Sequence, residues 1–481
     1  MVIDGEGSIV AQGDAAHEPF ASPQPGWSEQ SPDDWWRASC EAIGKVLKQV
    51  PADSIGAISF SGQMHGSVFL DAADNVIRPA LLWNDQRTAP QVEWLRREIS
   101  DGRMIEMVAN PAVTGFTLPK LLWLRQNEPE NWARVRSVLL PKDYIRLKLT
   151  GDKACDVTDG SGTLMLDVRN RCWSAEMLTA TGIDPAILPR VVESIEPVGE
   201  VSSAAAKATG LKAGTPVIAG AGDNAAGAIG AGLVAPGTVG VTIGTSGVVF
   251  IVTDRPTQDP KGSVHSLCHA IPARWHMTGV TLAAGYSLKW LRDTIAPDRA
   301  YDELTAEAAR VPTGSDGLIW LPYLMGERSP HMDPNARAGF IGLTAGHTRG
   351  HLVRAVMEGV AFSLKQSIDI FRDLGASINE IRLGGGGASS PLWRQIQADV
   401  YGRPVSSIEA DEGAALGAAI LAAVGAGAWD SVDSACAGVI RIKETVEPNS
   451  GSAAVLAENY EIFTSLYPAL KSAFRNSGEA I

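Results

Sequence analysis

The sequence predicts an α/β protein with two large domains, and three observations lead to this fold class. The 481 residues are too many for one hydrophobic core. Hydrophobic residues make up 45% of the chain and charged residues 20%, which is the balance of an ordinary globular protein. Short apolar runs end in glycine turns and lead into helical patterns, and the 50 glycines provide for many such junctions.

Composition and charge argue against several classes of function. The formal net charge is −13 and no basic run is present, so we expect no nucleic-acid partner. No basic segment followed by an apolar one opens the chain, and the longest apolar runs are too short and too rich in glycine to cross a bilayer, so we expect no membrane partner. The cysteines are far apart and odd in number, which predicts reduced thiols in a cytoplasmic protein: Cys40, Cys155, Cys172, Cys268 and Cys436.

The first half of the chain alternates predicted strands and helices up to about residue 230. Residues 1–7 have the pattern of the second arm of a hairpin and its turn. Ser31 then serves as N-cap of a helix that has Pro32 in its first turn. Apolar residues at helical spacing form its buried stripe, namely Trp36, Cys40, Ile43 and Leu47. Three strand-like runs follow, over residues 55–60, 67–70 and 77–83.

The second half repeats this alternation. We expect helices over residues 285–293, 349–374, 391–401 and 412–424, and strands over 378–383 and 405–408. An extended loop is expected between residues 321 and 340. Small residues with Pro and Gly at 232–237 give the best candidate for a boundary, which predicts domains over residues 1–232 and 233–481.

Residues 216–250 carry the most informative pattern of the chain. An apolar strand leads into Gly222-Asp223-Asn224, and a second strand-like stretch breaks at Gly244-Thr245-Ser246-Gly247 before it resumes. This second pattern predicts a β-hairpin whose glycine and hydroxyl tip lets backbone N–H groups approach an anion. A carboxylate beside such a hairpin indicates the transfer of a phosphoryl group to a hydroxyl.

Asp223 is therefore the candidate general base, which would accept the proton of an attacking hydroxyl. An ordinary aspartate, with a pKa of about 3.9, is ionised at neutral pH and can do this without special tuning. The alternative for both motifs is a plain turn, since Asp-Asn and glycine with hydroxyl residues are common in turns. The presence of both motifs within one short segment favours the functional interpretation.

Residues 384–387 are four consecutive glycines between a predicted strand and a predicted helix. A strand, a glycine turn and a helix N-terminus together make a site for a nucleotide or a phosphate. Four glycines exceed what a turn requires, although a flexible loop is the alternative.

Two polar stretches of the first half are candidates for binding a polyhydroxylated ligand. In residues 61–66, Gln63 and His65 offer hydrogen bonds and Met64 an apolar wall. The second stretch combines an aromatic face with two polar groups, in Trp83-Asn84-Asp85. The alternatives are a structural histidine for the first stretch and a core tryptophan for the second.

No pattern predicts a metal site. His265, His269 and His276 are close in sequence but lack a convergent acidic partner, so surface or core roles are expected for them. The charged segment at residues 326–334 is too specific for a simple solvated loop, and a brace at the domain interface is one interpretation of it.

Two longer segments resemble the signatures of the FGGY carbohydrate kinases. The first is Gly-Phe-Thr-Leu-Pro-Lys-Leu-Leu-Trp-Leu-Arg-Gln-Asn at residues 115–127. The second is Ala-Gly-Phe-Ile-Gly-Leu at residues 338–343, followed by His-Leu-Val-Arg-Ala-Val-Met-Glu at 351–358. Their length and order argue against a chance match, and the resemblance covers essentially the whole chain. Residues 61–66 and 83–85 are similar to the branch that phosphorylates D-xylulose and unlike the glycerol kinase branch.

This resemblance implies two actin-like (ribonuclease H-like) ATPase domains with the sugar and MgATP in the cleft between them. Asp223 falls on the catalytic base of the family, Met64 and His65 on its sugar-contacting pair, and Asn224 beside the base is a further sugar contact. Together with the polar stretches above, the expected sugar-binding residues are Gln63, Met64, His65, Trp83, Asn84, Asp85 and Asn224. The expected nucleotide-binding residues lie in the hairpin and at the nucleoside pocket: Gly244, Thr245, Ser246, Gly285, Gly385, Gly386 and Ser390.

One departure from the family concerns its opening strand. That strand normally carries Asp-x-Gly-Thr, forms the first phosphate hairpin and helps to hold magnesium. By comparison with the family, this strand and its turn are missing here. We therefore expect the first sheet to lack a central strand, which leaves a neighbouring edge open and weakens folding and phosphate binding.

The function expected from the resemblance is ATP-dependent phosphorylation of D-xylulose to D-xylulose 5-phosphate, with Mg²⁺ and with Asp223 as base. One alternative is a kinase for another ketose or polyol, such as ribulose or glycerol, against which Met64 and His65 argue. Another is a non-catalytic sugar- or nucleotide-binding protein, against which Asp223 and the intact glycine loops argue. The sequence leaves the oligomeric state open, a homodimer included.

Overall fold

The computed structural model describes residues 1–409 and 413–478. The first half of the chain consists of short strands and helices in alternation. Its helices are α1 (Pro32–Val46), α2 (Ala89–Glu98), α3 (Asp101–Val108), α4 (Thr117–Asn127), α5 (Pro129–Arg134), α6 (Pro141–Thr150), α7 (Val157–Ser161), α8 (Ala175–Thr181), α9 (Ser203–Thr209) and α10 (Asp223–Gly230). Its strands are β1 (Val2–Ile3), β2 (Ile9–Ala11), β3 (Glu29–Gln30), β4 (Ser61–Gly62), β5 (Val68–Leu70), β6 (Ala80–Leu81), β7 (Ser137–Leu139), β8 (Ala154–Asp156), β9 (Leu166–Asp167), β10 (Cys172–Trp173), β11 (Arg190–Val192), β12 (Pro197–Glu200), β13 (Pro216–Ile218) and β14 (Ala221–Gly222).

The strands of the first half pair in twos. Antiparallel pairs join β1 to β2, β3 to β6, β5 to β7, β9 to β10 and β12 to β13, and parallel pairs join β8 to β11 and β4 to β14. The pair β4 and β14 places Ser61 beside Ala221 and Gly62 beside Gly222. Because the carboxyl ends of parallel strands meet at one edge of a sheet, the residues that follow Gly62 and Gly222 emerge side by side.

The N-terminal strand forms a hairpin with the strand that follows it. Val2–Ile3 pairs antiparallel with β2, and its place as the second arm of a hairpin stays a prediction. Asp4 forms the turn: its Oδ1 accepts the N–H groups of Glu6 at 3.0 Å and Ser8 at 2.9 Å. This local side-chain-to-backbone pairing gives the short hairpin a turn of its own.

Among the residues that the structure describes, one side of residues 57–62 has no strand partner. On the other side this segment runs parallel to β13 and β14, with Ile58 N–H donating to Pro216 O at 2.9 Å and Ile218 N–H to Ile58 O at 2.8 Å. The open side borders an apolar cavity of about 800 Å³ between α1, the β1–β2 hairpin and the alanine-rich helix at residues 413–425. Because only one ladder is present, the predicted strand over 55–60 is reduced to a single bridge at Ile58. The absence of a central strand from the first sheet stays a prediction.

The second half is organised around one seven-stranded sheet, with the order β17-β18-β16-β15-β21-β22-β23. The strands of this half are β15 (Thr238–Ile243), β16 (Gly247–Thr253), β17 (His265–Cys268), β18 (Trp275–Thr281), β19 (Ile319–Leu321), β20 (Gly339–Ile341), β21 (Glu380–Gly385), β22 (Val405–Ile408) and β23 (Ile442–Val446). Its helices are α11 (Gly285–Ile295), α12 (Tyr301–Ala308), α13 (Arg349–Asp373), α14 (Gly386–Ser389), α15 (Pro391–Tyr401), α16 (Gly413–Gly425), α17 (Val432–Val439) and α18 (Ser450–Gly478). Strands β15, β21 and β22 are parallel, and β15 and β16 form an antiparallel hairpin. The largest apolar core lies between this sheet and α13.

The elements predicted for this half are confirmed to within a few residues. Helix α13 covers residues 349–373 against a predicted 349–374, α15 covers the predicted 391–401, and β22 covers the predicted 405–408. The predicted helix over 412–424 is α16, and its first predicted residue, Glu412, lies outside the described residues. Among the residues that the structure describes, no helix is both long and apolar enough to cross a membrane.

Helices α10 and α16 cross with their backbones in contact and join the two halves. A Cβ on Gly417 would lie 1.8 Å from Ala226 O, and one on Gly230 would lie 2.0 Å from Gly413 O. Glycine is therefore required at both positions. This crossing fixes the N-terminus of α10, where Asp223 lies, against the second half.

Candidate active site

Asp223 is the first residue of α10, directly after β14. Two hydrogen bonds fix the residue before it. Gly222 N–H donates to Thr158 Oγ1 at 2.9 Å, and the Thr158 hydroxyl donates to Asp156. Asp223 Oδ1 accepts the N–H of Asn224 at 2.8 Å. The rest of the carboxylate is exposed toward the space between the two halves, so it is free to accept a proton from a ligand.

The electrostatic setting of Asp223 differs from that of an ordinary surface aspartate. Protein surrounds the carboxyl group on most sides although it keeps contact with solvent, and this desolvation raises the pKa of Asp223 to about 6. The hydrogen bond from Asn224 opposes the shift only in part. An aspartate with this pKa is still ionised at neutral pH and is a stronger base than usual.

A cavity of about 270 Å³ connects Asp223 to the sheet of the second half. Its lining includes Asp223, Asn224, Thr242, Arg382 and Gly384. Asp223 is the one acidic side chain in the described lining of this cavity. The geometry thus places a single carboxylate opposite the parallel strands β15 and β21.

The hairpin tip at residues 244–246 presents unpaired donors. Gly285 N–H donates to Gly244 O at 2.8 Å, and the N–H groups of Ala284 and Tyr286 donate to Thr245 O at 3.0 and 3.1 Å. These bonds turn the tip carbonyls toward the start of α11. In the part of the chain that the structure describes, the backbone N–H groups of Thr245 and Ser246 have no hydrogen-bond partner. Such N–H groups suit an anion with several oxygens.

The glycine run meets the same hairpin. Gly385 pairs with Ile243 in the parallel ladder, has φ +69°, and would place a Cβ 2.6 Å from Ile243 O, so only glycine fits there. Gly386 begins the short helix α14. Ser390 Oγ accepts Trp393 N–H at 3.4 Å as N-cap of α15, so its hydroxyl already has a structural partner.

Met64 and His65 lie next to Asp223, as the parallel pairing of β4 and β14 requires. The Met64 side chain packs on Gly222, where an added Cβ would lie 2.7 Å from Met64 Cγ. The His65 ring donates from Nδ1 to Gly162 O at 2.7 Å. Burial lowers the pKa of His65 to about 3, so the ring is neutral and its Nε2 is left as an acceptor. Gln63 Nε2 donates to Gln30 Oε1 at 3.4 Å.

The Trp83-Asn84-Asp85 stretch divides into two accessible residues and one that is occupied. Trp83 is 49% exposed and can contact a ligand, while Asn84 is partly buried and its Oδ1 has no hydrogen-bond partner within the described residues. Asp85 is fully buried, and its oxygens accept from Arg87 and from Ser28 N–H at 2.7 Å. Asp85 is therefore placed to hold the loop and not to bind a ligand. The sequence pattern gave no sign of the partner Arg87, which stacks 3.6 Å over Trp27.

A buried charge cluster beneath the site was not predicted. Lys142 Nζ lies 2.6 Å from Asp143 Oδ1, 2.6 Å from Asp156 Oδ1 and 3.4 Å from Asp159 Oδ2. The three carboxylates are close enough to hold a metal ion, but the ammonium group lies among them, so the cluster is an ion-pair network. Burial alone would lower the pKa of Lys142, and the three aspartates raise it above its usual value. The signal that could have predicted this cluster is the presence of ionisable residues within apolar segments, namely Lys142, Asp143, Asp156 and Asp159.

The three clustered histidines have structural roles. His269 and His276 are buried, and His276 stacks on Phe250 at 4.2 Å, which confirms the expected core role. His265 packs at 5.4 Å on Phe116, which in turn stacks on His65.

Comparisons with known proteins agree along the whole chain. Residues 1–230 match the N-terminal domain, and residues 239–426 the C-terminal domain, of the FGGY family of carbohydrate kinases. The xylulose kinase of Bacillus subtilis is 38% identical over 97% of this chain and 94% of its own length. The xylulose kinase of Escherichia coli is 40% identical over 89% of this chain and 87% of its own. The crystal structure of a "xyloylose kinase" from Brucella ovis superimposes with a TM-score of 0.93 at 37% identity, over 98% of this chain and 96% of that one.

Proposed function

Because the chain belongs to the FGGY family of carbohydrate kinases, we propose that it transfers the γ-phosphoryl group of ATP to D-xylulose and forms D-xylulose 5-phosphate. The chain is a sugar kinase with the two-domain actin-like fold that the resemblance predicted. The observation that carries the choice of sugar is its likeness to xylulose kinases over nearly their full length. The substrate, a small-molecule sugar, enters between the two halves.

In the proposed reaction Asp223 acts as general base. The terminal hydroxyl of the sugar donates its proton to the Asp223 carboxylate, and the oxygen attacks the γ-phosphorus of ATP. A new O–P bond forms, the bond from the γ-phosphorus to the bridging oxygen breaks, and ADP leaves. The raised pKa of Asp223 helps the proton transfer, and solvent contact through the cavity lets the proton escape afterwards.

The sugar side of the cleft is formed by residues of the first half. His65 Nε2 accepts a sugar hydroxyl, the buried amide oxygen of Asn84 accepts another, and Trp83 covers an apolar face of the sugar. Met64 and Asn224 place the sugar against Asp223, with Gln63 at the rim. A sugar hydroxyl that donates to the unpaired Asn84 Oδ1 gains affinity from this hydrogen bond.

The nucleotide side is formed by the second half. The free N–H groups of Thr245 and Ser246 donate to phosphate oxygens, while Gly285, Gly385 and Gly386 allow the backbone to come close. Mg²⁺ usually keeps several waters and is bound largely through substrate phosphates, so it would enter this cleft with the ATP and leave Asp223 free to act as base. When bound with ATP, the metal neutralises charge on the phosphates. A homodimer and a cytoplasmic location stay expectations from the sequence.

The first prediction of this proposal concerns pH. Since only ionised Asp223 accepts the proton, kcat/KM should fall about tenfold per pH unit below a pKa of about 6 and be flat above it. Glu327 is also buried with its pKa raised to about 7, so Glu327→Gln is the matched control and should leave the acidic limb in place. The measurement is a pH–rate profile of both proteins. If the acidic limb disappears in the Glu327 variant, the titrating group is Glu327 and the assignment to Asp223 is wrong.

A second prediction concerns the hairpin. A Cβ on Gly285 would lie 2.4 Å from Gly244 O, so Gly285→Val should push the tip from its position and raise KM for ATP about tenfold or more, with KM for the sugar little changed. Gly44→Ala, where an added Cβ meets nothing within 4 Å, is the control. Steady-state kinetics with each substrate varied in turn provides the test. An unchanged KM for ATP would show that the hairpin tip does not contribute to nucleotide binding.

The choice among sugars is tested with a substrate panel. D-xylulose, D-ribulose, L-ribulose, glycerol and gluconate are compared by kcat/KM at one ATP concentration. D-xylulose is expected to be preferred at least about a hundredfold, which corresponds to about 3 kcal/mol of discrimination. A higher kcat/KM with another sugar would support the sugar kinase activity and contradict D-xylulose as the preferred substrate.

A further inference from the structure

His65 has an uncommon backbone conformation. Its φ is +68°, in the left-handed region that residues with a side chain rarely enter. The N–H of Gly66 donates to Met64 O at 2.9 Å across it, which closes a three-residue γ-turn. A γ-turn with positive φ at its centre is strained and persists only where surrounding contacts hold it.

The contacts that hold this turn come mainly from α4. The carbonyl oxygen of His65 accepts from Lys120 Nζ at 2.7 Å and from Thr117 Oγ1 at 3.1 Å. Phe116, the N-cap residue of α4, stacks its ring on the His65 ring with centroids 4.8 Å apart. The carbonyl and the ring of one residue are thus both fixed by one helix end.

Lys120 is an unusual residue for this purpose. Its side chain is fully buried, and its other hydrogen bond goes to Gly115 O at 2.7 Å. Within the described residues its ammonium group makes no ion pair within 4 Å, although Asp85 lies near enough to raise its pKa. Burial nevertheless lowers the pKa of Lys120 to about 7. A buried lysine that binds only carbonyl oxygens is costly to keep, and a neutral side chain would serve packing better.

We propose that Lys120 is a positioning residue for the sugar, which clamps the carbonyl of His65 and so holds the strained turn that presents Met64 and His65 beside Asp223. The inference rests on the proposed function for its link to the sugar. Lys120 is fully buried beneath the turn, so it acts on the sugar through His65. Loss of the clamp lets the turn relax, moves the His65 ring away from Gly162 O, and shifts Met64 from its contact with Gly222.

The kinetic test uses Lys120→Met. This variant keeps the length of the side chain and removes the ammonium group that donates to both carbonyl oxygens. With whichever sugar the wild type phosphorylates, KM for that sugar should rise about tenfold to a hundredfold, the expected effect of losing a charged hydrogen bond. KM for ATP should stay within about twofold, because the nucleotide side is formed by other elements. A folded variant with an unchanged KM for the sugar would overturn the inference.

A second pair of variants covers the case in which Lys120→Met does not fold. Thr117→Val removes the second donor to His65 O, and Thr117→Ser keeps it. KM for the sugar should rise about fivefold in the valine variant and stay at the wild-type value in the serine variant, since one neutral hydrogen bond is lost only in the first. Equal KM values for both variants and the wild type would contradict the clamp.

A readout independent of catalysis separates this inference from the proposed function. The His65 ring is followed by NMR of ring-labelled histidine, with His65→Gln to assign its signal. In the wild type this signal should not titrate above about pH 5, since the pKa of His65 is lowered to about 3. In Thr117→Val it should titrate at a higher pH than in Thr117→Ser, because the relaxed turn exposes the ring. Lys120→Met is left out of this comparison, because loss of the Lys120 charge raises the pKa of His65 by itself. No change in the titration would refute the clamp even if the protein phosphorylates no sugar tested.

Discussion

Asp223→Asn is expected to lower kcat by about 10²–10⁴-fold, which is the usual contribution of a general base. The amide keeps the size of the side chain and the acceptor for Asn224 N–H, but it cannot take the proton of the sugar hydroxyl. Binding of the sugar should therefore stay measurable by calorimetry, with Kd within about threefold of the wild-type value, because the other sugar contacts are intact.

The matched control for this substitution is Asp302→Asn. Asp302 is an exposed carboxylate in the first turn of α12, so it occupies the same kind of position with respect to a helix as Asp223 but lies away from the cleft. Its loss should leave kcat unchanged. Near-normal turnover in the Asp223 variant would remove this residue from the mechanism.

The second large effect is expected on stability, from Lys142→Met. Removal of the ammonium group leaves Asp156 and Asp159 without a cation within the described residues, while Asp143 keeps its pair with Arg146 Nη2 at 3.0 Å, and all three aspartates are fully buried. Breaking a buried ion pair in this way should lower the free energy of unfolding by about 3–5 kcal/mol. Chemical denaturation of the variant measures the loss directly.

The pH dependence of this loss has a definite sign. Burial raises the pKa of Asp159 well above its usual value and the Lys142 charge opposes this shift, so without the cation Asp159 takes up a proton more readily in the folded state. A group with a raised pKa in the folded state contributes stability at low pH that is lost as the pH rises. The deficit of Lys142→Met should therefore grow from pH 5 to pH 8.

Lys148→Met on the same helix is the control, because Lys148 is exposed and should contribute less than about 0.5 kcal/mol. Equal stability of the two variants at pH 8 would mean that the aspartates do not depend on Lys142.

The network also reaches the active site, since Asp156 accepts a hydrogen bond from Thr158, and Thr158 accepts the N–H of Gly222. Loss of Lys142 should thus impair activity as well as stability.

Patterns that depend on near neighbours in sequence were predictable here. The alternation of apolar residues gave the β15–β16 hairpin, and the glycine run gave the junction of β21 with α14. The position of Asp223 at the end of a strand was predictable because the strand and the residues that follow it are contiguous. The boundaries of α13 and α15 followed from helical spacing and from Pro391 at a helix start.

Features that depend on distant partners were not predictable in the same way. Asp85 belongs to a stretch with the composition of a sugar site, but the N–H of Ser28, 57 positions earlier, donates to its Oδ2. The γ-turn at His65 exists because Lys120 and Thr117, more than fifty positions later, hold its carbonyl. The segment at 55–60 has strand residues but only one neighbouring strand in the described part of the chain. In each case a tertiary contact overrides or completes the local preference.

The measurement that tests the central claim most directly is the release of ADP from MgATP as D-xylulose is added to this chain. The account predicts ADP release that saturates with D-xylulose, is matched mole for mole by D-xylulose 5-phosphate, and is lost in Asp223→Asn. A folded protein, shown by a cooperative thermal transition, that binds ATP but releases no ADP with D-xylulose or any other sugar of the panel would contradict it.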